Sequence, residues 1–371
     1  MTQIAELAVE AAGLDAGNSI CNVVLGRAEN RVEIPTIGLR DYILRERDEE
    51  AKRTFAQSYI VQIESQAVAN SVWLVGAGVS QDPNRQLALT PKPGSLKPEN
   101  ETILVTSLTA LALAALQFRG LDKIPKRHEM TVRIKWLSAT LPYRQHRKEQ
   151  KQLLKSKLLG THRVHFLDLE GIGEFIVYLT IENMLTYPEP MPALIALAHE
   201  VRRGKVVAIR PELLENSCAV VDVGGGTSDI VVMDEGMSLN QGKSDTLEWG
   251  INQVLDQVLK DIPAGWINDR AALVDRIRRE QWVLKGRGEL DLRPVLEQNL
   301  RTGIAAINEI LEKASKDKTI AHFILVGGGA HLMADYLTPP ADCKPETPAD
   351  AEWLNALGAF YASLIASEEK Q

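Results

Sequence analysis

The run Val220-Val221-Asp222-Val223-Gly224-Gly225-Gly226-Thr227-Ser228-Asp229 ends a β-branched strand pattern in an aspartate, three glycines and a hydroxyl pair. Such a turn lets backbone amides close on a polyphosphate while the carboxylate stays beside it for a divalent cation. A second glycine turn follows far along the chain, Phe323-Ile324-Leu325-Val326-Gly327-Gly328-Gly329-Ala330. Near the N-terminus, Ala12-Gly13-Leu14-Asp15-Ala16-Gly17-Asn18-Ser19 repeats the first arrangement in shorter form, an aspartate at a strand end followed by small turn-forming residues. Two hairpins carrying Asp15 and Asp222 can face each other across a cleft and grip one phosphate chain from both sides. The stretch Gly236 to Ser244, which ends Gly242-Lys243-Ser244, is not a Walker A loop, because five residues separate its glycines where four are required. It reads as a hairpin turn.

Composition bounds what could position these residues. At 371 residues the chain exceeds the size at which one core stops growing, so two lobes with a cleft between them are expected. Its 45% hydrophobic and 25% charged residues are ordinary for a globular protein, and a formal charge of -7 weighs against nucleic-acid binding through general electrostatics. Any involvement with DNA would pass through a partner. The three scattered cysteines, Cys21, Cys218 and Cys343, read as reduced thiols, which suits a cytoplasm. The most apolar stretch, Ile103 to Phe118, contains Thr106, Ser107 and Thr109 and is shorter than the roughly 20 residues a membrane span needs, so it reads as a buried helix. The N-terminus lacks the basic and apolar regions of an export signal.

The elements follow from periodicity and turn residues. A meander opens the chain, with strands into Asp15, from Ile20 to Leu25 and from Arg31 to Ile37. A charged helical segment from Asp41 to Lys52 leads to strands at Tyr59 to Ile63 and Ser71 to Val75, then to a proline- and lysine-rich loop, Asp82 to Glu99, expected to be exposed. After the buried helix come a strand from Met130 towards Leu141-Pro142 and a basic helix from Arg144 to Leu159. In that helix Arg144, Arg147, Lys148, Lys151, Lys155 and Lys157 meet one acid, Glu149; it is either a solvated face or a surface for an acidic partner or a neighbouring subunit. Strands at Arg163 to Asp168 and Glu174 to Ile181 precede Tyr187-Pro188-Glu189-Pro190-Met191-Pro192, where three prolines fix a carboxylate ahead of an alanine- and leucine-rich helix. The lobe boundary is placed there, giving residues 1–190 with 349–371 as domain I and 191–348 as domain II. Domain II carries helical patterns over Trp249 to Leu259, Ala271 to Leu284 and Asp291 to Ala314, and an apolar-faced helix from Ala349 to Ala366 closes the chain.

With these residues in view, the chain resembles the actin-like ATPases and, within them, the ParM/StbA family of plasmid-segregating filament proteins. Five signatures match in order: Asp15 to Ser19 as phosphate-1, Pro188 to Ala193 as the first connecting helix, Asp222 to Asp229 as phosphate-2, Leu325 to Ala330 as the adenosine motif, and Asn355-Ala356-Leu357-Gly358 as the second connecting helix. Trp136 to Tyr143 resembles the family's strand and Gly-Leu-Pro turn, with Thr140 in place of the glycine. The Asp-Ala-Gly-Asn-Ser form is shared with archaeal actin-like relatives. The resemblance implies an α/β, duplicated ribonuclease H-like fold of two lobes around a nucleotide cleft.

It also implies roles. Asp15 and Asp222 would hold hydrated Mg²⁺, largely through water, since Mg²⁺ dehydrates reluctantly. Ala16, Gly17, Asn18 and Ser19, with Gly224, Gly225, Gly226 and Thr227, would surround the β- and γ-phosphates of ATP or ADP. Glu189 would orient the attacking water, so that Glu189, Asp15 and Asp222 form the catalytic set. Gly327, Gly328, Gly329 and Ala330 would let adenosine approach the backbone, with Glu280 and Lys285 near the purine and ribose. The implied function is an ATPase that polymerises with ATP and hydrolyses it in the filament to segregate DNA, with its own copies and a DNA-binding adaptor as partners, in the cytoplasm and without a membrane. The alternatives are a monomeric sugar or acetate kinase of the same superfamily and a cytoskeletal or divisome scaffold.

Overall fold

The computed structural model describes residues 5–43, 58–92, 94–120, 128–169, 172–267, 269–285, 288–316, 320–340, 343 and 345–369. Contacts divide the chain into two units, Met1–Glu215 with Trp353–Gln371, and Asn216–Glu352. All but the first three residues of the expected charged helix at Asp41 to Lys52 lie outside the described residues; Asp41 is a turn residue, and Tyr42 and Ile43 belong to no helix or strand.

The first unit is built on one nine-stranded sheet. Its strands are β1 (Ala5–Ala16), β2 (Ile20–Leu25), β3 (Arg31–Pro35), β4 (Gly38–Arg40), β5 (Ser58–Glu64), β6 (Val72–Gly76), β7 (Glu129–Leu141), β8 (Gly160–Leu169) and β9 (Gly173–Pro188). They lie in the order β3-β2-β1-β7-β9-β8-β5-β6-β4. The meander β1 to β3 is antiparallel, as its turn residues Gly26 and Asn30 require, whereas β1, β7 and β9 run parallel. The sequence expectation ended β9 at Ile181, but pairing with β7 continues to Leu141↔Pro188, because the ladder carries the strand through the polar pair Glu182 and Asn183.

Helix α1 (Glu101–Arg119) is buried nearly all round, and its Thr106, Ser107 and Thr109 hydroxyls each donate to the carbonyl four residues back. Its length and composition would suffice for a membrane span, yet its side chains fill the core under β1, β2 and β3. Strand alternation then sorts the end of β1: Ala12, Leu14 and Ala16 join that core, and Gly13 and Asp15 face the other side. The basic helix α2 begins later than expected, at Lys148–Leu158, after a 3-10 turn at Tyr143–Gln145, and buries only Leu154 and Leu158. Helix α3 (Met191–Ala198) and a small hairpin of β10 (His199–Arg202) and β11 (Lys205–Ala208) complete the unit before the crossing at Glu215. Residues 191–215, assigned to domain II from sequence, thus group with the first unit. The reason is the C-terminal helix, which lies on both α3 and the far face of β1: a Cβ on Gly358 would sit 1.7 Å from the Pro192 carbonyl oxygen, and one on Gly13 2.0 Å from that of Ala356.

The second unit repeats the core of the first. Strands β12 (Cys218–Val223), β13 (Ser228–Asp234) and β14 (Ser238–Leu239) form an antiparallel meander, with β15 (Asp245–Leu247) also on β13. The Gly236 region is the β13–β14 turn, with Gly236 and Met237 at positive φ. Helices α4 (Ile251–Asp261) and α6 (Leu292–Ser315) fill the core; α6 buries Leu292, Leu296, Leu300, Ile307 and Leu311 along one stripe. Strands β18 (His322–Val326) and β19 (Pro345–Glu346) then add in parallel, giving the order β14-β13-β12-β18-β19. That is the order and sense of β3-β2-β1-β7-β9.

One expected helix is shorter. The pattern over Ala271 to Leu284 forms helix α5 only over Arg270–Arg278. Glu280 adopts a φ of 56°, and the Gln281 amide donates back to the Arg276 carbonyl, a left-handed helix stop. Leu284 instead lies in a hairpin of β16 (Val283–Lys285) and β17 (Glu289–Asp291). The chain closes with α7 (Leu354–Glu368) in the first unit, after Gly327 has bonded through its amide to the Ala351 carbonyl in the second.

Candidate functional site

Three parallel strands end side by side in the first unit, and each end carries a polar residue. The register Leu14↔Ala139 brings Asp15 of β1 beside Thr140 of β7, and Leu141↔Pro188 places Glu189 just past β9. The carboxyl ends of parallel strands are where α/β sheets bind ligands. Thr140 Oγ1 lies 3.0 Å from Asp15 Oδ1 and 2.7 Å from Glu189 Oε1, so one hydroxyl faces two carboxylates. Burial and the neighbouring Glu189 charge push the Asp15 carboxyl up to about 6, against the pull of Lys97 and of hydrogen bonds from Thr140 and Asn355. The thiol of Cys21 on β2, also near Asp15, is pushed up to about 12 by burial and stays neutral. Asn355, from the second connecting-helix match, thus reaches Asp15 from α7.

Sequence reasoning missed a cation here. Lys97 is 3% exposed, and its Nζ lies 2.7 Å from Glu189 Oε1 in a buried ion pair. The proline- and lysine-rich loop expected to be exposed is therefore anchored at both ends, since Asp82 is buried as well and accepts a hydrogen bond from the Tyr42 hydroxyl at 3.1 Å. Gln145, just after the Leu141-Pro142 turn, accepts from the Lys97 amide at 3.0 Å and donates to the Ser95 carbonyl at 3.1 Å. Loop composition predicts exposure on average, but a lysine that finds a carboxylate inside can be buried with it.

The β1–β2 hairpin is braced by another residue that no motif names. The Thr36 hydroxyl donates to the Gly17 carbonyl and its amide to the Ser19 carbonyl, both at 2.8 Å. With those two carbonyls tied to Thr36, the turn's shape is fixed from outside. The Asn18 side-chain oxygen is buried without a hydrogen-bond partner among the described residues.

In the second unit, Asp222 is 6% exposed at the end of β12, in register with Val326 of β18. The carbonyls of Gly224 and Gly225 accept from the Ile251 and Asn252 amides at the N-terminus of α4, each at 3.0 Å. The Gly224 amide, expected to face phosphate, is spent on the Thr227 carbonyl at 3.0 Å. Among the described residues the amides of Gly225, Gly226 and Thr227 make no backbone bond outside the ladder, so three successive donors remain for an anion. Asp229 is locked by the Thr246 hydroxyl at 2.6 Å and by Thr227 at 3.4 Å, a structural role.

The glycines of the second turn also have a reason within the protein. A Cβ on Gly327, whose φ is +86°, would lie 2.1 Å from Asp222 Oδ1, and one on Gly329 would lie 2.5 Å from Val223 Cγ1. Only Gly328 faces open space. Ala330 is buried. Glu280 and Lys285 are both exposed, and Lys285 pairs with Glu289 across the β16–β17 hairpin at 3.8 Å. Among the described residues no hydrogen bond or ion pair ties either residue to the glycine turns.

Asp15 in the first unit and Asp222 in the second are each a hard oxygen donor of the kind Mg²⁺ takes, and among the described residues no cluster of three or more His, Cys, Asp or Glu forms a closed cage. A cation on either carboxylate would keep waters and phosphate oxygens as ligands, which fits Mg²⁺. The unbonded amides beside Asp222 fit a phosphate.

Comparison with known proteins agrees with this layout. The family model of the archaeal actin homologue MreB-like C-terminal domain matches residues 220–339. No curated protein sequence matches the chain. Among solved structures, Bacillus thuringiensis ParM with AMPPNP superposes with a TM-score of 0.68 at 18% identity, covering 96% of this chain and 98% of that one. A pCBH ParM non-polymerisable quadruple mutant gives 0.68 at 19% identity over 98% and 99% of the two chains. The actin-like protein Alp7A gives 0.70 at 17% identity over 99% and 98%. With the strand order repeated in its two units, the chain has the actin-like fold.

Proposed function

We propose that this protein is an actin-type ATPase of the ParM kind, which assembles into filaments with ATP and hydrolyses it there to move or position DNA. The observation that carries the reading is the Asp15–Thr140–Glu189 group at three parallel strand ends, in a chain whose second unit offers Asp222 and three free amides. Asp15 and Asp222 would hold hydrated Mg²⁺, which when bound supplies neutralisation of phosphate charge. The amides of Gly225, Gly226 and Thr227, with the turn at Gly17 to Ser19, would bind the phosphates. Glu189 would orient the attacking water, and Gly328 would let adenosine approach the backbone. Filament formation is supported by the likeness to pCBH ParM, whose quadruple mutant is described as non-polymerisable. A DNA-binding adaptor and a cytoplasmic setting complete the proposal.

The test is sedimentation and electron microscopy of the protein with ATP and Mg²⁺, with ADP and with a non-hydrolysable analogue, alongside phosphate release. Filaments with ATP and phosphate release that rises with polymer are expected; a protein that hydrolyses ATP yet stays in the supernatant and shows no polymer would be a kinase-like relative instead. Glu189→Gln should still pellet but release phosphate about 100-fold more slowly. Glutamine is the better probe than alanine, because its amide oxygen can still accept from the buried Lys97 ammonium and alanine has no acceptor to offer. Release at the normal rate would remove Glu189 from its role.

A further inference from the structure

Resting on the ATPase reading, we propose that Lys97 is a positioning residue of this site: its ammonium, seated on Glu189 Oε1, turns the other carboxylate oxygen to the reacting water. The geometry carries the argument. Lys97 Nζ and the Thr140 hydroxyl both lie 2.7 Å from Oε1, whereas among the described residues Oε2 receives no hydrogen bond. Thr140 has one hydroxyl hydrogen and two carboxylates to satisfy, Asp15 and Glu189, so at any moment it holds only one of them. When it donates to Asp15, Lys97 alone fixes Glu189.

Lys97 is itself held rigidly. Its amide is bound by the Gln145 side chain, whose own backbone is tied to the Pro142 carbonyl at 2.8 Å. Three residues on, Asn100 caps α1 by accepting from the Ile103 amide at 3.1 Å. The ammonium therefore sits at the end of a stem anchored to the strand end that bears Thr140. Stability does not explain such a pair. Burying an ammonium and a carboxylate together costs about as much desolvation as their attraction returns, so an apolar pair filling both positions would hold the fold as well. What the pair does supply is a single orientation for Glu189, and misplacement of a catalytic group by an ångström is costly to rate.

The test is steady-state phosphate release against ATP concentration, at protein concentrations where the pelleted fraction is measured in parallel. Wild type, Lys97→Met, Glu189→Gln, the double variant and Thr140→Val are compared. Lys97→Met should lower kcat about 10–100-fold and leave KM for ATP within about threefold. The double variant should be no slower than Glu189→Gln alone, because Lys97 acts only through that carboxylate. A wild-type kcat in Lys97→Met, or losses that multiply in the double variant, would overturn the proposal. A raised KM at unchanged kcat would overturn it too, by placing the ammonium on the nucleotide. Should Lys97→Met not fold, Thr140→Val removes the other donor to Oε1 without exposing a charge; it should lower kcat severalfold at constant KM, and an unchanged kcat would refute the shared-oxygen geometry. A wild-type protein that releases no phosphate refutes the ATPase reading, and the role of Lys97 with it; full activity in Lys97→Met refutes the role alone.

Discussion

Gly327→Ala separates what the second glycine turn does for the fold from what it does for a ligand. The alanine Cβ would lie 2.1 Å from Asp222 Oδ1 and 2.7 Å from the Val223 carbonyl oxygen, at a φ of +86°. The carboxylate can swing aside, but Val223 O is backbone and is already bonded to the Gly329 amide at 2.9 Å. A left-handed conformation costs an alanine about 1–2 kcal/mol, and forcing a methyl into a filled site costs about 1–3 kcal/mol. The expected loss is therefore about 2–5 kcal/mol, a large share of the roughly 5–15 kcal/mol that holds a domain folded. Gly328→Ala is the control, since no atom lies within 4 Å of the added Cβ; it should fall within about 0.5 kcal/mol of wild type. Urea unfolding without nucleotide reads both, with tryptophan fluorescence reporting on the second unit through Trp249, Trp266 and Trp282. Nucleotide titration should invert the order of interest: Gly328→Ala keeps its stability and loses affinity if adenosine lies against that backbone. A Gly327→Ala protein within 1 kcal/mol of wild type would refute the steric account.

Two further perturbations probe the first unit. Asp15 has its carboxyl pushed up to about 6 when folded, from 3.8, by burial and by Glu189, so the folded protein holds a proton that the unfolded chain has already released between those values. Its stabilising contribution is present below pH 4 and is lost as pH rises through about 6, on the order of 3 kcal/mol in total. Asp15→Asn, measured by urea unfolding free of Mg²⁺ and nucleotide, should therefore gain on wild type as pH rises from 4 to 6 and keep that margin to pH 8; a constant difference across the range contradicts the reasoning. Thr36→Val removes the 2.8 Å bond to the Gly17 carbonyl and should cost about 1–2 kcal/mol while weakening nucleotide affinity in direct titration. Unchanged affinity would mean the hairpin keeps its shape without Thr36.

What was legible in the sequence depended on how local its cause was. Asp15, Asp222 and the glycine turns announce themselves because a β-branched run, an aspartate and glycines follow one another along the chain. The buried helix at Glu101–Arg119 was legible for the same reason. Lys97 was not, since its partner Glu189 lies 92 residues away and its own neighbours, proline, serine and lysine, describe a surface loop. Thr140 stood out only as a departure from a glycine; its position between two carboxylates needed the parallel register of β1, β7 and β9. The stop at Glu280 was hidden because a glutamate in a left-handed conformation leaves no compositional mark, and the apolar period runs on past it to Leu284. The grouping of residues 191–215 with the first unit was hidden too, because it rests on the approach of Gly358 to Pro192, which are distant in sequence.

The repeated strand order puts an aspartate at the end of the first strand of each unit, yet the two do not have the same surroundings. Asp222 ends against its own unit's glycine turn, near the Gly327 backbone, with amides rather than charges following it in the chain. Asp15 ends among side chains: Thr140, Asn355, Glu189 and the Lys97 behind it. Backbone amides and glycines can grip a phosphate but can neither take up a proton nor orient a water by charge; a carboxylate set by a lysine and a threonine can do both. If two copies of one fold divide a reaction in this way, binding belongs mainly to the second unit and rate to the first. Substitutions at Gly225 to Thr227 should then act on nucleotide affinity, and substitutions at Glu189, Thr140 and Lys97 on turnover. Parallel measurement of nucleotide Kd and kcat across both sets tests the division, and a turnover defect at constant affinity in the Gly225 to Thr227 turn would break it.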